Sequence, residues 1–165
     1  MALHSLDIYD DEHFDFDIIS ISSSASIYSV ISELNQSLNI DLKLRDFLDF
    51  SHKEGEQFLF PLYTHLHEEL NIEFNLISNQ TSFQSPDRKS SQLGIDLFSG
   101  NVQRHTKLLA ELEKSDYFLI IKGDNRFLHN YSIIEAIKNN VNFISVHEIY
   151  LEKLKDKKSK TNLLF

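Results

Sequence analysis

The stretch LLAELEKSDYFLII, residues 108–121, joins two different patterns. Ala110, Glu111, Leu112, Glu113 and Lys114 form an acidic, helix-friendly run, whereas every residue from Tyr117 to Ile121 is apolar. A short apolar run without alternation fits a strand buried on both faces, at the centre of its sheet. Glu111, Asp116 and Tyr117 stand at or near the join. Read as chemistry, they offer two carboxylates for acid/base work and a phenol to orient a substrate, which needs surroundings that push the two carboxyl pKa values apart. Read as construction, Asp116 bonds turn amides, Tyr117 fills core with its hydroxyl at the sheet rim, and Glu111 pairs with Lys107 or Lys114. We expect construction and assign no catalytic residue.

Working outward, FDIISIS at residues 16–22 reads as a strand ending in serines. Ser24 or Ser26 can cap a following helix by accepting free amide protons of its first turn. Ile27, Val30, Ile31, Leu34 and Leu38 then fall on one helical face, and Asn39 suits a left-handed stop. In residues 40–50, Ile40, Leu42 and Leu44 alternate with Asp41 and Lys43, as in a half-buried strand. HKEGEQ (52–57) reads as a turn. Residues 57–66 are extended, but Pro61 has no amide proton, so the strand is expected at an edge or bent there. Residues 72–78 alternate and should complete an antiparallel hairpin. The polar stretch 79–94 reads as a mobile surface loop, and 102–109 fits helix or strand. Past the apolar run, Gly123, Asp124 and Asn125 make a turn. A helix over 128–139 should turn Tyr131, Ile134 and Ile137 inward, and 141–150 is a returning strand.

YSVISELNQSLNIDLKL (28–44) echoes YSIIEAIKNNVNFISV (131–146). In both, a strand precedes the helix and another follows. Two strand-helix-strand halves place both helices on one face of a mostly antiparallel sheet. The expected class is α+β, a relative of the ferredoxin-like arrangement with an inserted hairpin, in a single domain over 1–165.

Composition narrows the chemistry. The 165 residues contain no cysteine, four glycines and two prolines, and the formal net charge is -9. Thiol catalysis, thiolate metal sites and disulfides are excluded, and no glycine-rich phosphate cradle is present. Nucleic acid requires a basic face. The best candidate is Lys153, Lys155, Lys157, Lys158 and Lys160 within 152–160, which reads as a solvated approach to the C-terminus. The first 17 residues, MALHSLDIYDDEHFDFD, are acidic and lack the apolar core of a secretory signal. No apolar run approaches the ~20 residues of a membrane span. The expectation is a bacterial cytoplasmic protein with no cofactor, no nucleic-acid partner and no membrane.

Leu109, Ala110, Glu111, Ser115, Asp116 and Tyr117 resemble the signature of the bacterial IPExxxVDY family. The glutamate, aspartate and tyrosine agree with it; Leu, Ala and Ser replace its isoleucine, proline and valine. IISIS near the start, NLISN at 75–79, YFLII at 117–121 and KSKTNLLF at the end look like family segments in the same order. The resemblance implies an intact single-domain bacterial protein and no particular reaction. A proline in place of Ala110 would interrupt a helix, so the family pattern favours strand at about 103–109.

Four further groups are candidates. In THLHEEL, His65, His67 and Glu69 share a face if the chain is extended and could present a metal-binding set. The alternation puts Leu66 and Leu70 inward, which would make the histidine face the wet one. DDEHFDFD (10–17) could chelate calcium but lacks the glycine and spacing of a known loop. His105 could partner Glu111. The terminal NLLF (162–165), with Leu163 and Phe165, should dock on the body of the protein or on a partner. An anion could be held by the helix start after Ser24 or by the turn from Gly123 to Arg126. The expected function is a non-catalytic interaction, assembly or regulatory module, with a protein partner or self-association through a sheet edge. The alternative is a small-ligand-sensing domain of the amino-acid-binding type, and a carboxylate- or metal-dependent enzyme ranks third.

Overall fold

The computed structural model describes residues 16–51, 57–82, 105–124, 126–155, 163 and 165. Tyr117–Lys122 forms a strand (β7), and all of its residues but the last are buried. The cause is the apolar run: alternate side chains leave opposite faces of the sheet, and both faces are covered. Tyr117, Leu119 and Ile121 enter one apolar cluster. Phe118 and Ile120 enter a second.

The other strands are β1 (Phe16–Ser22), β2 (Lys43–Ser51), β3 (Gln57–His67), β4 (Ile72–Ser78), β5 (Gln80–Ser82), β6 (His105–Lys107) and β8 (Ser145–Ile149). The helices are α1 (Ile27–Leu38) and α2 (Arg126–Lys138). The main sheet has six strands in the order β2-β3-β4-β7-β1-β8, and β5 pairs with β6 separately. All neighbours in the main sheet are antiparallel. Hence β7 and β8 run parallel, with β1 between them and α2 as crossover. The run β8-β1-β7-β4 has the ferredoxin-like order, and β2 with β3 is the inserted hairpin. The expected α+β architecture is the one observed.

Val30 and Leu34 of α1 and Ile133 and Ile137 of α2 share a cluster with Ile19, Ile21 and Leu119, so both helices cover one face. Ser26 caps α1 by accepting from the Ser29 amide, and Asn39 ends it at φ 53°, ψ 48°. The opposite face is covered by irregular chain and a short 3-10 helix, Leu151–Lys153. Leu108, Leu109, Leu151, Leu154 and Leu163 pack there against Ile18, Phe60, Phe118 and Ile120. Leu163 and Phe165 therefore dock on the body, where Lys122 Nζ donates to the Phe165 carbonyl and lies over its ring.

Three expectations are corrected, and that for Pro61 is met locally: among the described residues β3 pairs there with β2 alone, although β3 lies inside the sheet. The β3–β4 ladder begins at Leu62, so the missing amide proton falls just outside it. Leu44 is half exposed on the edge strand β2, beside a bulge between Leu44 and Asp46. Tyr131 is 79% exposed, whereas Ile133 and Ile137, one helical turn apart, are the buried pair of α2. The stretch expected as a loop from 79 starts with the fully buried Asn79 and β5; residues 83–94 lie outside the described residues. Residues 105–107 of the ambiguous segment are strand, while 102–104 are not described.

Candidate functional site

The join quoted above becomes a folded-back corner between β6 and β7. Its anchor is Asn79, directly after β4. Asn79 is 1% exposed. Its Oδ1 accepts from the Leu109 amide at 2.8 Å, and its Nδ2 donates to the carbonyls of Ser115 at 2.9 Å and Leu112 at 3.0 Å. Its own amide donates to the Asp116 carbonyl, and its carbonyl accepts from the Leu108 amide, both at 2.8 Å. One buried side chain thus satisfies main-chain groups that could not otherwise leave water. Beside it, the buried hydroxyls of Ser20 and Ser115 are 2.6 Å apart. The only hint in the sequence is an asparagine directly after an alternating strand.

Asp116 Oδ2 accepts from the Ser23 amide at 2.8 Å, and the Tyr117 hydroxyl donates to the Ala25 carbonyl at 2.6 Å. Both bonds hold the turn between β1 and α1. Glu111 points elsewhere: its Oε2 accepts from the Lys155 amide at 2.9 Å. Lys107 Nζ donates to the Glu113 carbonyl. The three groups therefore hold two separate pieces of main chain, the turn before α1 and the backbone at Lys155. Asp116 and Tyr117 border a polar cavity of ≈ 320 Å³ with Lys107, Glu113 and Gln80, and Glu111 does not line it.

The Tyr117 phenol is pushed above its ordinary value of 10.0, first by burial and then by the Asp116 carboxylate. At neutral pH it is a donor. A group whose protonated form is favoured by folding adds stability that is complete below its unfolded pKa and is lost as pH rises through the folded value. The melting temperature should therefore fall more steeply above about pH 10 in the wild type than in Tyr117→Phe. Equal slopes would contradict this. At pH 7, loss of the bond to Ala25 should cost Tyr117→Phe about 1 kcal/mol in denaturant unfolding.

Three amides of the turn before α1 and of its first turn have partners within the chain. The Ser23 amide goes to Asp116, the Ala25 amide to Ser23 Oγ and the Ser29 amide to Ser26 Oγ. Asp116 itself supplies the negative charge that such a place favours. In the other proposed anion turn, Asn125 lies outside the described residues. Gly123 has φ +122°, and an added Cβ would stand 2.2 Å from the Asn71 carbonyl oxygen.

Leu70 packs against the helix-side core as expected, but at His65 and Leu66 the facing is reversed: the His65 ring lies 6.4 Å from Phe74 of that core, tilted by 35°, and Leu66 is 56% exposed. β3 ends at His67, so Glu69 lies in the exposed turn and does not share the strand face. His65 Nδ1 accepts from the Asp41 amide. His67 and His129 border a mainly apolar cavity of ≈ 240 Å³ with Leu38, Ile72 and Ile133. Among the described residues, no group of three or more histidine, aspartate or glutamate side chains is placed to hold a metal ion. His105 is exposed on β6. Residues 10–15 of the acidic arm and 156–160 of the lysine cluster lie outside the described residues.

Among the described residues, no helix is long and apolar enough to cross a membrane. No family model matches the chain, and neither does any curated protein.

Proposed function

We propose that this is a non-catalytic interaction or assembly module, acting through an exposed edge of its sheet in the bacterial cytoplasm. The observation that carries the reading is the use of the polar groups at the join. Glu111, Asp116, Tyr117 and Asn79 each bind main chain of their own protein, which makes them parts of a scaffold. The resemblance to the IPExxxVDY family belongs to the same proposal, because its glutamate, aspartate and tyrosine are the residues that hold these backbone pieces.

Among the described residues the sheet ends in two edges, β2 and β8, and an edge strand carries donors and acceptors that template pairing with another chain. Light scattering on a sizing column, with tagged-protein capture followed by reconstitution from purified components, tests the reading. The expected result is a dimer or a stoichiometric complex. A strict monomer that forms no complex would contradict it.

A further inference from the structure

We infer that the partner at β8 is a second copy of this chain, joined antiparallel about a two-fold axis at His147; the inference rests on the interaction reading above.

The two edges differ in how they are guarded. β2 carries Lys43, Arg45, Asp46 and Asp49, and a bulge interrupts it at Arg45. The Phe47 amide is capped by the Asp46 carboxylate beside it, at 2.7 Å. Charges, a bulge and a capped amide are the usual devices against edge-to-edge pairing, and they outweigh the exposed Leu44 and Phe47 there. β8, SVHEI, has none of them beyond one glutamate, and among the described residues nothing pairs with its outer side. Its Glu148 is held against the molecule by Asn130 Nδ2 at 3.1 Å and the Tyr150 hydroxyl at 3.1 Å.

The register follows from the backbone. Asn79 gives its amide to the carbonyl of Asp116, opposite it across β4 and β7, so Asp116 and Phe118 face β4, Tyr117 and Leu119 face β1, and alternation along β1 turns Ile18, Ser20 and Ser22, the partners of Ile149, His147 and Ser145, toward β8. Ser145, His147 and Ile149 therefore turn their main-chain groups toward β1, and alternation turns those of Val146 and Glu148 outward. A two-fold axis at His147 sets Val146 of one copy opposite Glu148 of the other, so the outward groups pair with each other. The same axis solves a second problem. Ile144 is 74% exposed and Tyr150 is 53% exposed, and they lie three residues before and three after His147. The axis places Ile144 of each copy across from Tyr150 of the other. A register shifted by one residue would lose both matches at once.

The chain has no cysteine, so one introduced thiol reports its own neighbour. At a non-hydrogen-bonded antiparallel pair the Cα atoms lie about 4.5 Å apart, within disulfide reach. His147 is exposed, so His147→Cys should fold as the wild type does. Mild oxidation with oxidised glutathione should convert His147→Cys to a covalent dimer that dithiothreitol reverses, and Phe47→Cys on β2 should stay monomeric under denaturing electrophoresis. Ile144→Lys should raise the wild-type dimer dissociation constant about tenfold or more, with an unchanged melting temperature in the monomer. If Phe47→Cys cross-links and His147→Cys does not, the β8 assignment fails while edge association stands. A monomeric wild type that binds a different protein also overturns the second-copy inference and leaves the interaction reading intact. A wild type that is monomeric and forms no complex overturns both.

Discussion

Asn79→Ala is expected to destabilise the fold by about 4 kcal/mol, because it strands a buried amide at Leu109 and a buried carbonyl at Ser115 and leaves a small void. Each unsatisfied buried group costs about 1–3 kcal/mol. The Leu112 carbonyl loses less, since it also accepts from the Ser115 amide. For a chain of this size, about 4 kcal/mol corresponds to a fall of roughly 10 °C in melting temperature. The loss should be local in origin. With its anchor gone, the corner from Leu108 to Asp116 no longer holds Leu108 and Leu109 on the sheet, and the Leu109 amide should exchange with solvent faster than those of β7. Asn79→Asp should be at least as damaging, because it sets a carboxylate against two carbonyls in place of a donor. A melting temperature within about 2 °C of wild type for Asn79→Ala would show that the corner is held by something else.

The second large effect is at Gly123. It closes β7 at φ +122°, a conformation that residues with a side chain rarely adopt. A Cβ there would meet the Asn71 carbonyl oxygen at 2.2 Å, its carbon at 3.2 Å and Ile72 Cα at 3.3 Å, all of them backbone. Asn71 is itself left-handed at φ 51° in the turn between β3 and β4, so it has little room to give way. Gly123→Ala combines backbone strain with overpacking, each worth about 1–3 kcal/mol, and should cost about 3 kcal/mol or more. Chemical denaturation with an unchanged slope and a lowered midpoint is the expected signature. A near-neutral substitution would mean that the β3–β4 turn is free to move away from the end of β7.

Local patterns were legible and orientations were not. The Ser26 cap, the Asn39 stop, the apolar face of α1 and the central place of Tyr117–Lys122 follow from spacing and capping chemistry that act within a few residues. The echo between the two halves led to the layer arrangement because each half repeats strand, helix and strand. What failed depended on distant chain. The facing of His65 and His67 is set by where the helices cover β3, and alternation alone cannot tell the covered face from the wet one. Asn79 looked like a loop residue because its partners at Leu109, Leu112 and Ser115 are 30 or more positions away. Among the signature groups, Asp116 accepts from the Ser23 amide and Tyr117 donates to the Ala25 carbonyl, both in the turn before α1. The bond from Glu111 to the Lys155 amide links segments 44 residues apart and had no local sign.

The central claim is that the acidic groups at the join hold backbone. Residue-resolved amide exchange in Asp116→Ala and Glu111→Ala tests it most directly. The Ser23 amide in the first variant and the Lys155 amide in the second should each exchange about tenfold faster than in the wild type, while the strand amides of β4 stay protected. If both amides keep their wild-type rates in folded protein, these carboxylates do not hold the chain, and the account is contradicted.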